Sequence, residues 1–196
     1  MNVNAFLRRR FRVGRGDTLP FKTHRCSRDI LAQVFGELGY KTGAEIGVQK
    51  GDYSLVLCTS IPGLHLKCVD SWEPYTPRIS QGRQDLYLAR TAARLAPYDV
   101  EIIKKTSMDA VRDVPDASLD FVYIDAMHEF DYVIMDLIGW SKKVRAGGIV
   151  SGHDYSNVHY QYGIIPAVLA YTWAHNIYQW YVTGDDVHPS YFWVKP

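Results

Sequence analysis

The sequence has 196 residues, 47% of them hydrophobic and 22% charged, which is ordinary globular composition and enough for one domain with a sizeable core. A formal net charge of +1 gives no global field toward nucleic acid or acidic lipid, and no apolar run reaches the ~18 residues a membrane span needs. Cys26, Cys58 and Cys68 are odd in number and lack zinc-ligand spacing. Cys58 and Cys68 fall in apolar segments as small core residues, which fits a reduced, cytoplasmic setting.

Residues 1–23 carry Arg8, Arg9, Arg10, Arg12 and Arg15 with no apolar stretch behind them, and read as a basic, partly mobile arm rather than a signal peptide. A single domain is expected over 24–196. Ser27 caps a helix in which Ile30, Leu31, Val34, Phe35 and Leu38 recur at helical spacing. A short strand follows over Ala44, Ile46 and Val48, then a helix over about 52–59, a Pro62-Gly63 turn and a strand over 64–69 that ends at Asp70. Residues 73–82 read as a loop. A helix over 84–95, a strand over 100–104, a short helix over 108–113 and an apolar strand over 119–124 come next. A helix over 132–144 precedes Gly147-Gly148 and a strand over 149–151. Pro166 suits the first turn of a helix, and 178–182 with 191–194 read as an antiparallel hairpin.

Five strand–helix units and a closing hairpin imply an α/β fold with a mostly parallel seven-stranded sheet covered on both faces. Right-handed crossovers bring the carboxyl ends of the strands to one edge, where ligands bind. Gly47, Asp70, Ser107, Asp125 and the His153-Asp154 pair all fall there.

The first of these ends is a strand–glycine turn–helix unit, Gly43-Ala-Glu-Ile-Gly-Val-Gln-Lys-Gly-Asp-Tyr-Ser54. Gly47 and Gly51, four apart, permit close backbone approach to a ligand, and a helix start follows. The dinucleotide fingerprint is not met, because Glu45 stands where its first glycine belongs. Asp70, 23 residues after Gly47, suits acceptance of hydrogen bonds from ribose hydroxyls, or a turn-capping role of comparable weight. As a strand-end carboxylate it is expected to matter for ligand affinity more than for folding. Trp72 fits either an adenine face or the core. Asp125, His153 and Asp154 close adjacent strands, so two carboxylates and an imidazole converge in a way that suits a divalent cation, Mg²⁺ or Mn²⁺. His128, three residues past Asp125, faces the same pocket, and histidine is the side chain best placed to act as a base near neutrality.

Taken together, Glu45-Ile-Gly47-x-x-x-Gly51-x-Tyr53-Ser54, Val69-Asp70-x-Trp72, Leu119-Asp120-Phe121-Val122-Tyr123-Ile124-Asp125-x-x-His128 and Gly147-Gly148-x-x-x-Gly152-His153-Asp154-Tyr155 resemble the class I small-molecule O-methyltransferases related to catechol O-methyltransferase and the macrolide-sugar enzymes, over about 43–155. The resemblance implies a Rossmann-like fold with S-adenosylmethionine as cofactor and a small hydroxylated, sugar-like or phenolic acceptor. It implies Glu45, Gly47 and Gly51 at the methionine end, Asp70 with Ser71 and Trp72 at the ribose, and Thr106, Ser107 and Met108 at the adenine. Asp125 matches a metal ligand that also borders the cofactor, and His128 stands where the catechol enzymes carry a lysine base. The chain departs from that pattern in having His153-Asp154 in place of Asp-Asn, and in lacking much of the N-terminal covering segment. Its cap is expected from the arm, from 73–82, where Arg78 and the following Arg83, Arg90 and Arg94 add positive charge, or from a second subunit of a homodimer. A nicotinamide dehydrogenase and a non-catalytic cofactor-binding protein are the competing readings.

Overall fold

The structure, a computed structural model, describes residues 2–156 and 163–196. The elements run α1 (Val3–Arg10), β1 (Phe21–Thr23), α2 (Arg28–Glu37), β2 (Thr42–Ile46), α3 (Asp52–Ser60), β3 (His65–Asp70), α4 (Gln81–Leu95), β4 (Val100–Lys104), α5 (Ser107–Asp113), β5 (Leu119–Ile124), α6 (Phe130–Lys143), β6 (Val144–Gly152), α7 (Ile164–Ala174), β7 (Trp180–Thr183) and β8 (Tyr191–Val194). They form one sheet in the order β1-β7-β8-β6-β5-β2-β3-β4. Every neighbouring pair is parallel except β8, which runs antiparallel to both β6 and β7.

Alternation along the strands builds two cores. In β2 and β5, Ala44, Ile46, Val122 and Ile124 face α5, α6 and α7 with Val111, Leu137, Trp140 and Val168. Phe121 and Tyr123 face the other way, with Leu31, Phe35 and Leu57 of α2 and α3. The capping serines act as their sequence positions require: Ser27 Oγ accepts the Ile30 amide at 3.4 Å and Ser80 Oγ the Arg83 amide at 3.3 Å. The second cap starts α4 at Gln81, three residues before the periodic pattern suggests. All three cysteines are buried thiols.

The N-terminal segment differs from the expected mobile arm. Residues 3–10 are helical and Phe21–Thr23 add an eighth strand beside β7. Val3, Leu7 and Phe11 recur every four residues and bury one helix face, with Leu7 fully enclosed and Phe11 edge-on to Phe192 at 5.8 Å. Two of the arginines are engaged: Arg10 Nε meets Glu37 Oε2 at 3.0 Å, and the Arg8 guanidinium lies 5.3 Å over the Phe21 ring. Apolar periodicity outweighs the charge that suggested a solvated arm. Among the described residues, no helix is long and apolar enough to cross a membrane.

Candidate functional site

β2 has β3 on one side and β5 on the other, so the strand order reverses there and a crevice opens above the carboxyl ends of β2 and β5. Gly47 and Asp125 line it together. The Asp125 amide donates to Ile46 O at 2.7 Å, and a Cβ on Gly47 would stand 2.0 Å from Asp125 O. That close approach is to the protein's own β5 end. Gly51, at φ +70°, likewise faces Thr91 of α4 at 3.1 Å. Gly47 admits no side chain and the φ of Gly51 favours glycine, but the room they leave is filled by neighbouring segments rather than kept for a ligand.

The amides of this turn have protein partners. Gly47 N donates to Val69 O at 2.8 Å, Val48 and Gln49 N donate to Asp70 Oδ2 at 3.0 and 2.8 Å, and Gly51 N donates to Val48 O at 2.9 Å. Asp70 Oδ1 also accepts the Trp72 amide at 2.8 Å. Asp70 is therefore the clamp of the glycine turn, the turn-capping role that its position at a strand end suggested beside ribose binding. Its oxygens retain lone pairs for further hydrogen bonds.

Trp72 does not offer a face to a ligand. It is wholly buried, and its Nε1 donates to Gln49 O at 2.9 Å. Ser71 Oγ accepts the Glu73 amide at 3.3 Å. At the β4–α5 junction, Thr106 Oγ1 caps Asp109, while Ser107 Oγ donates to Asp136 Oδ1 and accepts Trp140 Nε1 at 2.8 Å. Met108 leans on the core below. The Ser107 hydroxyl thus points inward, and burial pushes the Asp136 carboxyl up to about 6 against the pull of that serine. Glu45 is buried under the crevice with Ser54 Oγ donating to it, and desolvation raises its carboxyl to about 8. It is a neutral acid at pH 7.

The other half of the edge is built from charge. His128 Nε2 lies 3.3 Å from Asp154 Oδ2 and 3.7 Å from Asp125 Oδ1. His153 Nδ1 lies 3.5 Å from both Asp125 Oδ2 and Asp154 Oδ2. His188, in the turn before β8, brings Nδ1 to 3.0 Å from Asp154 Oδ1. Burial alone would raise Asp125, yet hydrogen bonds and charge from His128 and His153 hold it well below the ordinary carboxylate range. Burial opposes charging His153, yet the two aspartates raise it to about 9, so it is an imidazolium at neutral pH. Asp154 is lowered in turn, chiefly by His153, although burial and Asp125 act against that. Its backbone is left-handed, at φ +57°.

The tightest ligand set is Asp125, His128 and Asp154, whose donor atoms lie within 4.8 Å of one another. His153, expected as the third ligand, also lies beside both aspartates, at 3.5 Å, but the converging set contains His128 in its stead. His188 escaped the sequence reading. It lies far from Asp125 along the chain, and only the antiparallel pairing of β8 with β6 brings it to Asp154.

A family model described as a methyltransferase domain matches residues 44–155, more than half the chain. No curated protein matches the sequence. Three solved structures illustrate the likeness of fold. An O-methyltransferase from Bacillus cereus in complex with S-adenosylhomocysteine is 13% identical, at a TM-score of 0.62 over 98% of this chain and 89% of that one. The O-methyltransferase TomG from Streptomyces achromogenes, involved in tomaymycin synthesis and solved with S-adenosylmethionine, is 17% identical, at 0.61 over 98% and 88%. An rRNA methylase from Streptococcus thermophilus is 12% identical, at 0.62 over 87% and 98%. At such identities the likeness is one of fold, and it spans different acceptors. With the glycine turn, the strand-order reversal and the closing β7–β8 hairpin where that fold has them, the chain belongs to the methyltransferase-domain family and has the Rossmann-like class I methyltransferase fold.

Proposed function

We propose that the protein is an S-adenosylmethionine-dependent methyltransferase acting on a hydroxyl oxygen of a small acceptor, with a divalent cation held by Asp125, His128 and Asp154. The observation that carries this reading is the convergence of those three donors beside the Gly47 turn. The turn's own chemistry supports the cofactor. With the amides of Gly47, Val48, Gln49 and Gly51 bound to protein acceptors, it is a poor cradle for a pyrophosphate, and a cofactor without phosphates suits it better than a dinucleotide.

Bound S-adenosylmethionine supplies an electrophilic methyl group on a sulfonium, and a bound cation lowers the pKa of an acceptor hydroxyl. The ionised Asp125 at the crevice offers the sulfonium a counter-charge. The donor set fits a cation: two carboxylate oxygens suit Mg²⁺ or Mn²⁺, and the imidazole tilts the set toward Mn²⁺. The chain's task is alignment and exclusion of water. Methyl transfer to the acceptor oxygen releases the hydroxyl proton and leaves S-adenosylhomocysteine.

An alternative role for His128, exclusive of cation binding through Nε2, rests on its 3.3 Å contact with Asp154. With Nε2 turned to that carboxylate and the cation left to Asp125 and Asp154, the imidazole would serve as the general base for the acceptor's proton. The overall reading is tested by following S-adenosylhomocysteine formation from S-adenosylmethionine with a panel of sugar-like and phenolic acceptors, before and after exhaustive chelation and with Mn²⁺ or Mg²⁺ restored. Turnover that is lost on chelation and recovered with Mn²⁺ is expected. Full activity in the chelated protein would remove the cation. Binding of NAD in preference to S-adenosylhomocysteine by calorimetry would remove the methyltransferase reading.

A further inference from the structure

Arg28 is a half-buried cation in an unusual place. It occupies the first turn of α2, where the helix dipole disfavours positive charge, so helix stability does not account for it. Its main chain is tied down on both sides. The amide donates to Asp186 Oδ2 at 2.8 Å, and the carbonyl accepts the Tyr53 hydroxyl at 2.9 Å. Its guanidinium lies 5.2 Å over the Tyr53 ring, and Tyr53 meets Tyr123 of β5 at 4.3 Å, two residues before Asp125. Among the described residues, no carboxylate lies within ion-pair distance of that guanidinium. Asp125, Glu45 and Asp29 are felt only through space. The stack Arg28–Tyr53–Tyr123 thus leads from α2 to the end of β5, which forms one side of the crevice between β2 and β5. A planar, permanently charged fork held there by stacking, with its donors uncommitted to any acidic group, is suited to a bidentate carboxylate.

We propose that Arg28 is the anion-recognition residue of this site and takes a carboxylate of the ligand seated over Gly47 and Asp125. The inference rests on the methyltransferase reading, which leaves two sources for that group: the methionyl carboxylate of the cofactor, or a carboxylate on the acceptor.

The test compares wild type with R28Q and R28K by calorimetry. Neither substitution removes a side-chain hydrogen bond, and both keep the backbone bonds to Asp186 and Tyr53, so the thermal unfolding midpoint should fall by no more than the loss of stacking on Tyr53 costs, and less in R28K, which keeps the charge. The first pair of ligands is S-adenosylhomocysteine and 5′-methylthioadenosine, which lacks the amino-acid end. The second, measured on the S-adenosylhomocysteine complex, is 3,4-dihydroxybenzoate and catechol. Loss of about tenfold to a hundredfold in S-adenosylhomocysteine affinity in R28Q, with 5′-methylthioadenosine unaffected and R28K intermediate, assigns the carboxylate to the cofactor. Unchanged cofactor binding with the same loss confined to 3,4-dihydroxybenzoate assigns it to the acceptor. Equal affinities of R28Q and wild type for both carboxylate ligands overturn the proposal, as does a wild type that holds S-adenosylhomocysteine no tighter than 5′-methylthioadenosine and 3,4-dihydroxybenzoate no tighter than catechol. A wild type that binds neither adenosine ligand overturns the methyltransferase reading itself, a result distinct from either of these.

Discussion

The two halves of the carboxyl edge treat their acidic groups in opposite ways. On the β2–β4 side, Glu45 is buried with Ser54, and Ser107 at the β4–α5 junction is the single partner of buried Asp136 from α6; desolvation raises the two carboxyls to about 8 and about 6. Asp70 is bound by three backbone amides of the turn it closes. On the β5–β6–β8 side, Asp125 and Asp154 are lowered because His153 and His128 lie against both of them. The first half is a scaffold in which polar side chains hold loops in place. The second half concentrates charge, and two carboxylates that stay ionised at close quarters are what a cation or a developing positive charge needs.

The largest effect should come from the charged half. If His128 is the base, His128→Ala should lower kcat by roughly 10²–10⁴, with cofactor affinity intact and no recovery on adding Mn²⁺. If it is a cation ligand, metal affinity falls and excess Mn²⁺ restores much of the rate. Near-native kcat, in a protein whose metal affinity is also unchanged, would show that the charged half does no chemistry through this residue.

The pH response should separate the halves next. Glu45 has its carboxyl raised above the unfolded value of 4.5, so the stability it contributes is full below that value and is lost as pH rises toward about 8. The loss should reach a few kcal/mol, because each tenfold change in proton affinity between the folded and unfolded chain is worth about 1.4 kcal/mol. Glu45→Gln should flatten that slope in urea unfolding followed from pH 5 to 8. Asp125 and Asp154 have the opposite sign, since their contribution is present above the unfolded carboxylate range and is lost as pH falls below it toward their lowered folded values. An unchanged slope in Glu45→Gln would mean that Glu45 is ionised in the folded protein and that the contrast between the halves is wrong.

Asp70→Ala gives a smaller effect of a kind the sequence did not lead us to expect. It leaves the amides of Val48, Gln49 and Trp72 without their acceptor, and about 1–3 kcal/mol of stability should be lost for each that stays out of reach of water. Denaturant unfolding measures that loss, and calorimetry with S-adenosylhomocysteine measures the separate loss of affinity. Wild-type stability with weakened binding would return Asp70 to a purely ligand-facing role.

The order of strands and helices was legible because period-2 and period-3.6 patterns are local, and the turn residues Gly47, Pro62-Gly63 and Gly152 punctuate them. The convergence of Asp125 with His153-Asp154 was legible for a similar reason, since successive parallel strands pair, as β5 and β6 do. What the sequence hid was side-chain direction at those ends. Trp72 and the Ser107 hydroxyl point into the protein, and their spacing is the same whichever way they face. His188 meets Asp154 through the pairing of β8, and Arg28 lies over Tyr53, which packs on Tyr123 of β5, contacts between segments distant in the chain. The helix at residues 3–10 was readable in Val3, Leu7 and Phe11, but the run of arginines between them masked the pattern.

The smallest effect should come from the second glycine of the turn. Gly51 has φ +70°, and a Cβ there would sit 3.1 Å from Thr91 Cγ2 of α4. The left-handed backbone costs an L-residue about 1–2 kcal/mol, while the methyl of a threonine can give by a few tenths of an ångström. Gly47 differs, because its Cβ would meet the Asp125 carbonyl, a backbone atom, at 2.0 Å, and the ends of β2 and β5 would have to part. Gly51→Ala should therefore unfold at slightly lower denaturant with the geometry of Asp125, His128 and Asp154 preserved, so turnover per folded molecule should hold. Two measurements on this variant, unfolding midpoint and kcat, ask whether the scaffold half can be strained without disturbing the charged half. A fall in kcat beyond about tenfold, with stability reduced by only ~1 kcal/mol, would show that the two halves are mechanically coupled through the turn.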